Sequence, residues 1–154
     1  MRLTMMTDYA LRLLMFVGTA PDRLATIAEV AAAHRISQAH LTKVAHQLGL
    51  GGFLHTVRGR GGGIRLARPA SQIVLGEVVR HMESDLAVVE CLGPESRCVL
   101  TGRCRLTQVL QRATERFLAE LDARTLDELL PGEAGMPGGG RPVALPVRGA
   151  GDGR

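Results

Sequence analysis

The feature that most constrains the fold is the segment 26–68, where helix start and stop signals lie too close together for long elements. Thr26 and Glu29 have the spacing of a capping box, in which each side chain accepts a hydrogen bond from a free backbone N–H at a helix start. Three residues separate the end of this short helix from Ser37, which can cap a second helix ending near Leu48. Two short helices joined by a tight turn predict a helix-turn-helix, whose second helix fits the major groove of DNA.

A hairpin is predicted directly after the second helix. The residues expected on the buried face of that helix recur at helical spacing: Leu41, Val44 and Leu48. Residues 53–58 and 64–68 are typical of two short strands around a glycine- and arginine-rich turn, and a connecting helix is predicted over residues 75–82. A β-hairpin in this place is the wing of a winged helix. The predicted fold class is therefore mainly α, a winged helix-turn-helix domain.

Charge divides the chain into a basic N-terminal part and a mildly acidic part that follows it. Residues 1–70 carry nine Arg or Lys against three Asp or Glu, whereas residues 71–130 carry seven against ten. Beside a helix-turn-helix this balance favours double-stranded DNA as partner, although a basic surface alone is equally compatible with plain solvation. The residues predicted to face base edges are Ser37, Gln38 and His40. Those predicted to contact phosphates or the minor groove are Lys43, Arg58, Arg60 and Arg65.

The three cysteines of the chain, Cys91, Cys98 and Cys104, lie within fourteen residues that glycine, proline and arginine punctuate. Thiolates are preferred ligands of soft metals, and an odd number of cysteines argues against a disulfide framework. The spacing lacks the C-x-x-C pairs typical of zinc sites, and a polar loop is a poor place to bury structural thiols. An iron–sulfur cluster fits better, and three cysteines leave one coordination position for another ligand.

Asp8 stands out as a carboxylate in the otherwise apolar N-terminal helix. A negative charge in the first turn is favoured by the helix dipole, with Thr7 beside it as the cap. The alternative is that Asp8 supplies the missing metal ligand. From the residues alone, the helix-dipole explanation is preferred.

A long amphipathic helix is predicted after the cysteines. Apolar residues recur at three- and four-residue steps between Leu106 and Leu121, over about 24 Å at ~1.5 Å per residue. Such a stripe is either core or a dimer seam, and a DNA reader that needs two half-sites favours a homodimer. Thr125 and Glu128 offer a capping box for a last short helix. The predicted organisation is a winged helix-turn-helix domain over residues 1–84, a cluster-binding loop with a dimerisation helix over 85–130, and a disordered, Gly- and Pro-rich tail over 131–154.

Other classes of protein are disfavoured by what the sequence lacks. The first apolar run is short, broken by Asp8 and Arg12, and has no cleavage signature, so it predicts a helix and not a signal peptide. No stretch approaches transmembrane length, and we expect a cytoplasmic protein without membrane contact. Neither Gly-Lys-Ser/Thr nor a helix-opening G-x-G-x-x-G occurs, and no catalytic constellation is recognisable. An enzyme that uses a cluster for electron transfer therefore ranks far below a DNA-binding regulator.

The chain closely resembles the IscR-like family of winged-helix iron–sulfur regulators, and within that family the NsrR-type, nitric-oxide-sensing repressors. The similarity covers roughly residues 1–130. It rests on Met1-Arg-Leu-Thr4, Thr7-Asp-Tyr-Ala-Leu-Arg12, Val57-Arg-Gly-Arg-Gly-Gly-Gly-Ile-Arg-Leu66, Pro69-Ala-Ser71 and Cys104-Arg-Leu106. The resemblance implies a 4Fe-4S cluster held by the three cysteines of one subunit and Asp8 of the other. It also implies a homodimer that represses transcription from a DNA operator until nitric oxide attacks the cluster.

Two positions distinguish the branches of this family, and one spacing bears on the type of cluster. IscR-type members carry a histidine three residues after the last cysteine, where this chain has Thr107. Iron-responsive relatives tend to lack the aspartate of the first helix, so Asp8 favours nitric-oxide sensing over an iron- or redox-responsive repressor. The six residues between Cys91 and Cys98 differ by a residue or two from some NsrR-type members, which keeps a 2Fe-2S cluster as the alternative.

Overall fold

A computed structural model describes residues 2–93, 96–100 and 103–131 of the chain. In this part, the helices and strands are α1 (Met5–Gly18), α2 (Ile27–His34), α3 (Gln38–Leu50), β1 (Leu54–Val57), β2 (Gly63–Leu66), α4 (Leu75–Met82) and α5 (Arg105–Asp122). Three 3₁₀ turns occupy Ala70–Gln72, Glu90–Leu92 and Leu126–Leu129. Apart from Pro131, the predicted tail lies outside the described residues.

Helices α2 and α3 form the predicted helix-turn-helix. The capping box of α2 is confirmed: the backbone N–H of Glu29 donates to Thr26 Oγ1 (3.2 Å), and that of Thr26 donates to Glu29 Oε2 (2.6 Å). After α2, Arg35 takes a left-handed backbone conformation (φ 55°), which turns the chain toward α3. Ser37 occupies the N-cap position of α3 but makes no side-chain capping hydrogen bond, so the prediction of a hydroxyl cap is wrong. Its side chain is exposed, and water can take the place of that bond.

Strands β1 and β2 form the wing, and both are shorter than predicted. They pair antiparallel, with Leu54 opposite Leu66 and Val57 opposite Gly63. Ala25 adds an isolated bridge on the other side of β2, through hydrogen bonds of 3.0 and 2.7 Å with Ile64. A Cβ at Gly63 would lie 2.5 Å from the carbonyl oxygen of Ala25, so this close approach requires glycine.

One hydrophobic core joins α1, α3, the wing and α4. Its fully buried members include the predicted face of α3, and the larger side chains among them are Leu13, Leu14, Val17, Val30, Leu41, Val44, Leu48, Ile73, Val78 and Leu126. Leu126 reaches this core because the chain turns back after α5. The backbone N–H of Leu126 donates to Ile73 (2.9 Å) and that of Leu75 donates to Arg124 (3.0 Å). The predicted capping box precedes it, since the N–H of Thr125 donates to Glu128 (3.1 Å), although the turn that follows is 3₁₀.

Helix α4 has the predicted bounds and carries α5 against the domain. Arg80 forms two hydrogen bonds with Asp122 of α5, of 2.5 and 2.6 Å, and they pass so close to Gly76 that an added Cβ would overlap the carboxylate. No residue of α5 is fully buried, and Leu106 and Val109 are 62% and 51% exposed. The amphipathic helix is thus present, with much of its apolar stripe uncovered in the single chain. None of the described helices is long and apolar enough to cross a membrane.

Candidate functional site

The start and the exposed surface of α3 carry the residues predicted to read bases. The inner face is anchored by Leu41, Val44, Ala45 and Leu48, all buried. Ser37 at the N-cap, Gln38 and His40 in the first turn, and Lys43 on the side away from the core are all exposed. The ring of His40 also lies 6.3 Å from that of Tyr9 in α1, so one predicted DNA contact touches the first helix.

The wing presents three cations that no carboxylate in the described part of the chain neutralises. Arg58, Arg60 and Arg65 are exposed and form no ion pair with any described residue. Glycines with positive φ at 59 (100°) and 61 (76°) allow the turn that carries Arg60. By contrast, the arginines at 12, 23, 68, 80 and 124 are each paired with a carboxylate. Unpaired exposed guanidinium groups beside a recognition helix are suited to backbone phosphates.

Two of the three cysteines converge on one hydroxyl group. Cys91 lies in the 3₁₀ turn Glu90–Leu92, and its Sγ is 3.3 Å from Oγ1 of Thr107 in α5. Cys104 is the N-cap residue of α5. The Thr107 hydroxyl lowers the pKa of the Cys104 thiol, and the backbone N–H groups of Thr107 and Leu106 lower it further.

Cys98 lies in the described segment 96–100, where its backbone N–H donates to Ser96 Oγ (3.4 Å). All three thiols are free of disulfides and half-buried. Across residues 2–93, 96–100 and 103–131, no three His, Cys, Asp or Glu side chains are gathered closely enough to hold a metal ion. The donor chemistry of three free thiols suits a soft metal, although the described arrangement does not gather the three side chains around one point.

Asp8 lies on the exposed side of α1, in a bidentate ion pair with Arg12 at 3.0 Å. The cap of this helix is Thr4 and not Thr7, contrary to the sequence prediction: Thr4 Oγ1 accepts from the N–H of Thr7 (3.3 Å). Thr7 is instead fully buried, with its hydroxyl donating to Glu83 (2.5 Å). Glu83 also accepts from the N–H of Thr4 (2.7 Å), so this carboxylate fixes the start of α1 and with it the place of Asp8.

Sequence reasoning missed the parts played by Thr107, Glu83 and Tyr9. For Thr107 a local signal exists, because Cys104 and Thr107 have the spacing of an N-cap and N3 pair, in which side chains meet. Glu83 contacts Thr4 across 79 positions of sequence, and no local pattern announces such a contact.

A helix-turn-helix with an exposed polar face and a cationic wing defines a winged-helix DNA-binding regulator. The Rrf2 family, described as an iron-dependent transcriptional regulator, matches residues 3–132. The transcriptional regulator NsrR of Geobacillus kaustophilus is 47% identical over 138 residues, covering 88% of this chain and 94% of that protein. NsrR of Shouchella clausii is 44% identical over 135 residues, covering 86% and 91%. The chain therefore belongs to the Rrf2 family, and it is a transcription regulator and not an enzyme.

Solved structures show the same fold at low sequence identity. The global cysteine regulator CymR of B. subtilis superposes with a TM-score of 0.70 at 20% identity, over 84% of this chain and 95% of that one. IscR of T. potens gives a TM-score of 0.68 at 18% identity, over 84% and 85%. These likenesses confirm the predicted winged-helix fold class.

Proposed function

We propose that this chain is a transcriptional repressor of the NsrR type, which binds an operator as a homodimer, carries an iron–sulfur cluster and releases DNA in response to nitric oxide. The observation that carries the proposal is the convergence of Cys91 and Cys104 on Thr107 at the start of an uncovered helix. The NsrR relatives that match most of the chain support it.

DNA binding in this proposal uses both outer surfaces of the winged helix. Ser37, Gln38 and His40 face base edges in the major groove, where glutamine can pair bidentately with adenine. The cations proposed to contact backbone phosphates are Lys43, Arg58, Arg60 and Arg65, none of which pairs with a carboxylate among the described residues. Two copies of this surface would read the two halves of a pseudo-palindromic operator.

The homodimer is supported by the apolar side chains that the single chain leaves uncovered. Leu106 and Val109 of α5 are 62% and 51% exposed, and Val99 and Leu100, just before α5, are 97% and 57% exposed. Four large apolar side chains in one region are unfavourable in water, and a second copy of α5 can bury them. The cysteine loop would then lie beside the dimer seam.

The cluster would be held by Cys91, Cys98 and Cys104 of one subunit and Asp8 of the other, as 4Fe-4S with 2Fe-2S as the alternative. Asp8 is available for this role at small cost, because an exposed i,i+4 ion pair such as Asp8–Arg12 contributes at most about 0.5 kcal/mol. When bound, the cluster supplies the iron that nitric oxide attacks. The carboxylate is the hardest ligand in this soft set and is expected to be released first.

Release of Asp8 would loosen the link between α1 of one subunit and the loop of the other. Because Tyr9 follows Asp8 and contacts His40, a shift of α1 reaches the recognition helix directly. The separation of the two recognition helices would then no longer match the operator. Genes for nitric-oxide detoxification are the expected targets of a repressor released in this way.

The test begins with anaerobic purification and selection of an operator from random duplexes with the intact protein. Nitric oxide is then titrated while visible absorbance and operator gel shift are followed together. A cluster absorbance that changes as DNA is released supports the proposal. Absence of a chromophore contradicts the proposal and would leave a zinc site or a structural role as the explanation of the three cysteines.

An iron-responsive repressor is the second candidate, favoured by the description of the family as iron-dependent. The same absorbance and gel-shift measurements distinguish the two candidate functions. Release of DNA by iron chelation, with a cluster indifferent to nitric oxide, would select the iron-responsive function.

A further inference from the structure

Thr107 connects the first turn of α5 with the cysteine loop. Its hydroxyl lies 3.3 Å from the Cys91 sulfur, and Cys104 is the N-cap residue of the same helix, three positions before it. The other threonine of α5, Thr114, behaves as helix threonines usually do, since its hydroxyl donates to the carbonyl of Leu110 one turn earlier (3.0 Å). Thr107 stands in the first turn of α5, so its hydroxyl has no carbonyl of the same helix at that distance and faces the thiols.

Whether the Thr107 hydroxyl donates or accepts a hydrogen bond depends on the protonation of the cysteines. A free thiol can donate to Thr107, but a thiolate bound to metal has no proton, so between two thiolates the hydroxyl can only donate. A hydrogen bond donated to a ligand sulfur stabilises negative charge there, and such bonds are among the factors that set the reduction potential of a cluster. It also restricts the orientation of the ligand side chain.

We propose that Thr107 is a positioning residue of the metal site, which holds the Cys91 sulfur at the start of α5, near Cys104, and would donate a hydrogen bond to that sulfur when it binds metal. This inference rests on the proposed cluster. It assigns to Thr107 two effects that a plain helix residue would not have, a raised reduction potential and a slower loss of the cluster.

The test compares Thr107→Val, which keeps the shape and removes the hydroxyl, with Thr107→Ser, which restores it. Thr114→Val is the matched control, because it removes a hydroxyl from the same helix away from the cysteines. The anaerobic intact proteins are compared in cluster midpoint potential by spectroelectrochemistry and in cluster half-life under a chelator. Thr107→Val is expected to lower the potential and shorten the half-life several-fold, with Thr107→Ser and Thr114→Val close to wild type. Equal potentials and half-lives in all four proteins would overturn the inference.

A second measurement keeps this inference separate from the proposed function. In the metal-free proteins, iodoacetamide labelling at one pH is followed by mass spectrometry, with Cys98 as the internal reference. Loss of the Thr107 hydroxyl removes the contact of the Cys91 sulfur with α5 and is expected to change labelling of Cys91 relative to Cys98 by about two- to threefold. If wild type takes up no cluster, the proposed function fails, and an unchanged labelling ratio would then show that Thr107 does not act on the thiols either.

Discussion

Replacing the wing arginines is expected to change how DNA affinity depends on salt. The triple variant Arg58→Ala, Arg60→Ala, Arg65→Ala removes three exposed cations that no described carboxylate neutralises. Each cation that meets a phosphate releases a counterion, so the logarithm of affinity falls with the logarithm of salt by about 0.9 per contact. Affinity for DNA of any sequence should therefore fall, and so should its dependence on salt.

The size of the change in salt dependence follows from the number of predicted phosphate contacts. With Lys43 there are four in each subunit, so a homodimer would make about eight such contacts, and the logarithm of its affinity would fall with the logarithm of salt with a slope of about −7. The triple variant would keep about two of these contacts, with a slope near −2. Between 50 and 200 mM salt, the wild type would lose about a thousandfold more affinity than the variant.

Fluorescence anisotropy on a 30-base-pair duplex of arbitrary sequence, taken at several salt concentrations, measures both slopes, because phosphate contacts are independent of sequence. Arg124→Gln is the control, since Arg124 is already paired with Glu120 (3.2 Å) and Glu128 (3.0 Å). Its slope should match that of wild type. Equal slopes in the triple variant and wild type would refute the assignment of the wing to phosphate contact.

Three further predictions concern stability and the first helix. Gly63→Ala forces a Cβ to 2.5 Å from the backbone carbonyl oxygen of Ala25, which cannot move aside, and should destabilise the fold by about 1–3 kcal/mol in urea unfolding. Gly49→Ala, whose Cβ has only a carbonyl at 3.9 Å nearby, should be neutral or slightly stabilising, and equal losses in the two variants would contradict the packing argument. Burial lowers the pKa of His34, with the charge of Arg12 adding to the effect, so the unfolded chain binds a proton first and stability should fall as pH drops below about 6.5. Thermal melts between pH 5 and 8 should show this slope flattened in His34→Gln, and an unchanged slope would exclude His34 as its source. Asp8→Ala should leave the melting temperature within a few degrees of wild type but speed the response of the cluster to nitric oxide, and unchanged nitrosylation kinetics and operator affinity would remove Asp8 from the site.

The parts of the fold that depend on neighbouring residues could be predicted from the sequence. The capping box of α2, the buried face of α3 and the bounds of α4 all follow from spacings of three or four residues, and the structure confirms them. The cap of α1 was misassigned because Glu83, far along the chain, selects Thr4 and draws Thr7 into the interior. A contact between residues this far apart in the sequence produces no periodic pattern from which it could be predicted.

The site was only partly predictable for a related reason. The three cysteines lead to the prediction of a metal site, but their arrangement depends on contacts such as Cys91–Thr107, between residues sixteen positions apart. The stripe of α5 could be recognised as amphipathic from the sequence, whereas the proposed cover of its exposed side chains would come from a second chain. Asp8 likewise shows its proposed role only toward a second subunit, since within one chain it faces Arg12.

Helix α1 is the element that would connect the metal site with DNA reading. Its exposed side offers Asp8 to a partner, its start is fixed to Glu83 directly after α4, and Tyr9 contacts His40 of the recognition helix. A displacement of Asp8 would therefore be transmitted to the recognition helix through α1 alone, without a series of intermediate contacts. Tyr9→Ala removes the contact between α1 and His40. Cluster assembly should be unaffected, while operator affinity should depend less on whether the cluster is present. Full coupling in Tyr9→Ala would mean that the signal reaches the recognition helices through α5 and the dimer seam instead.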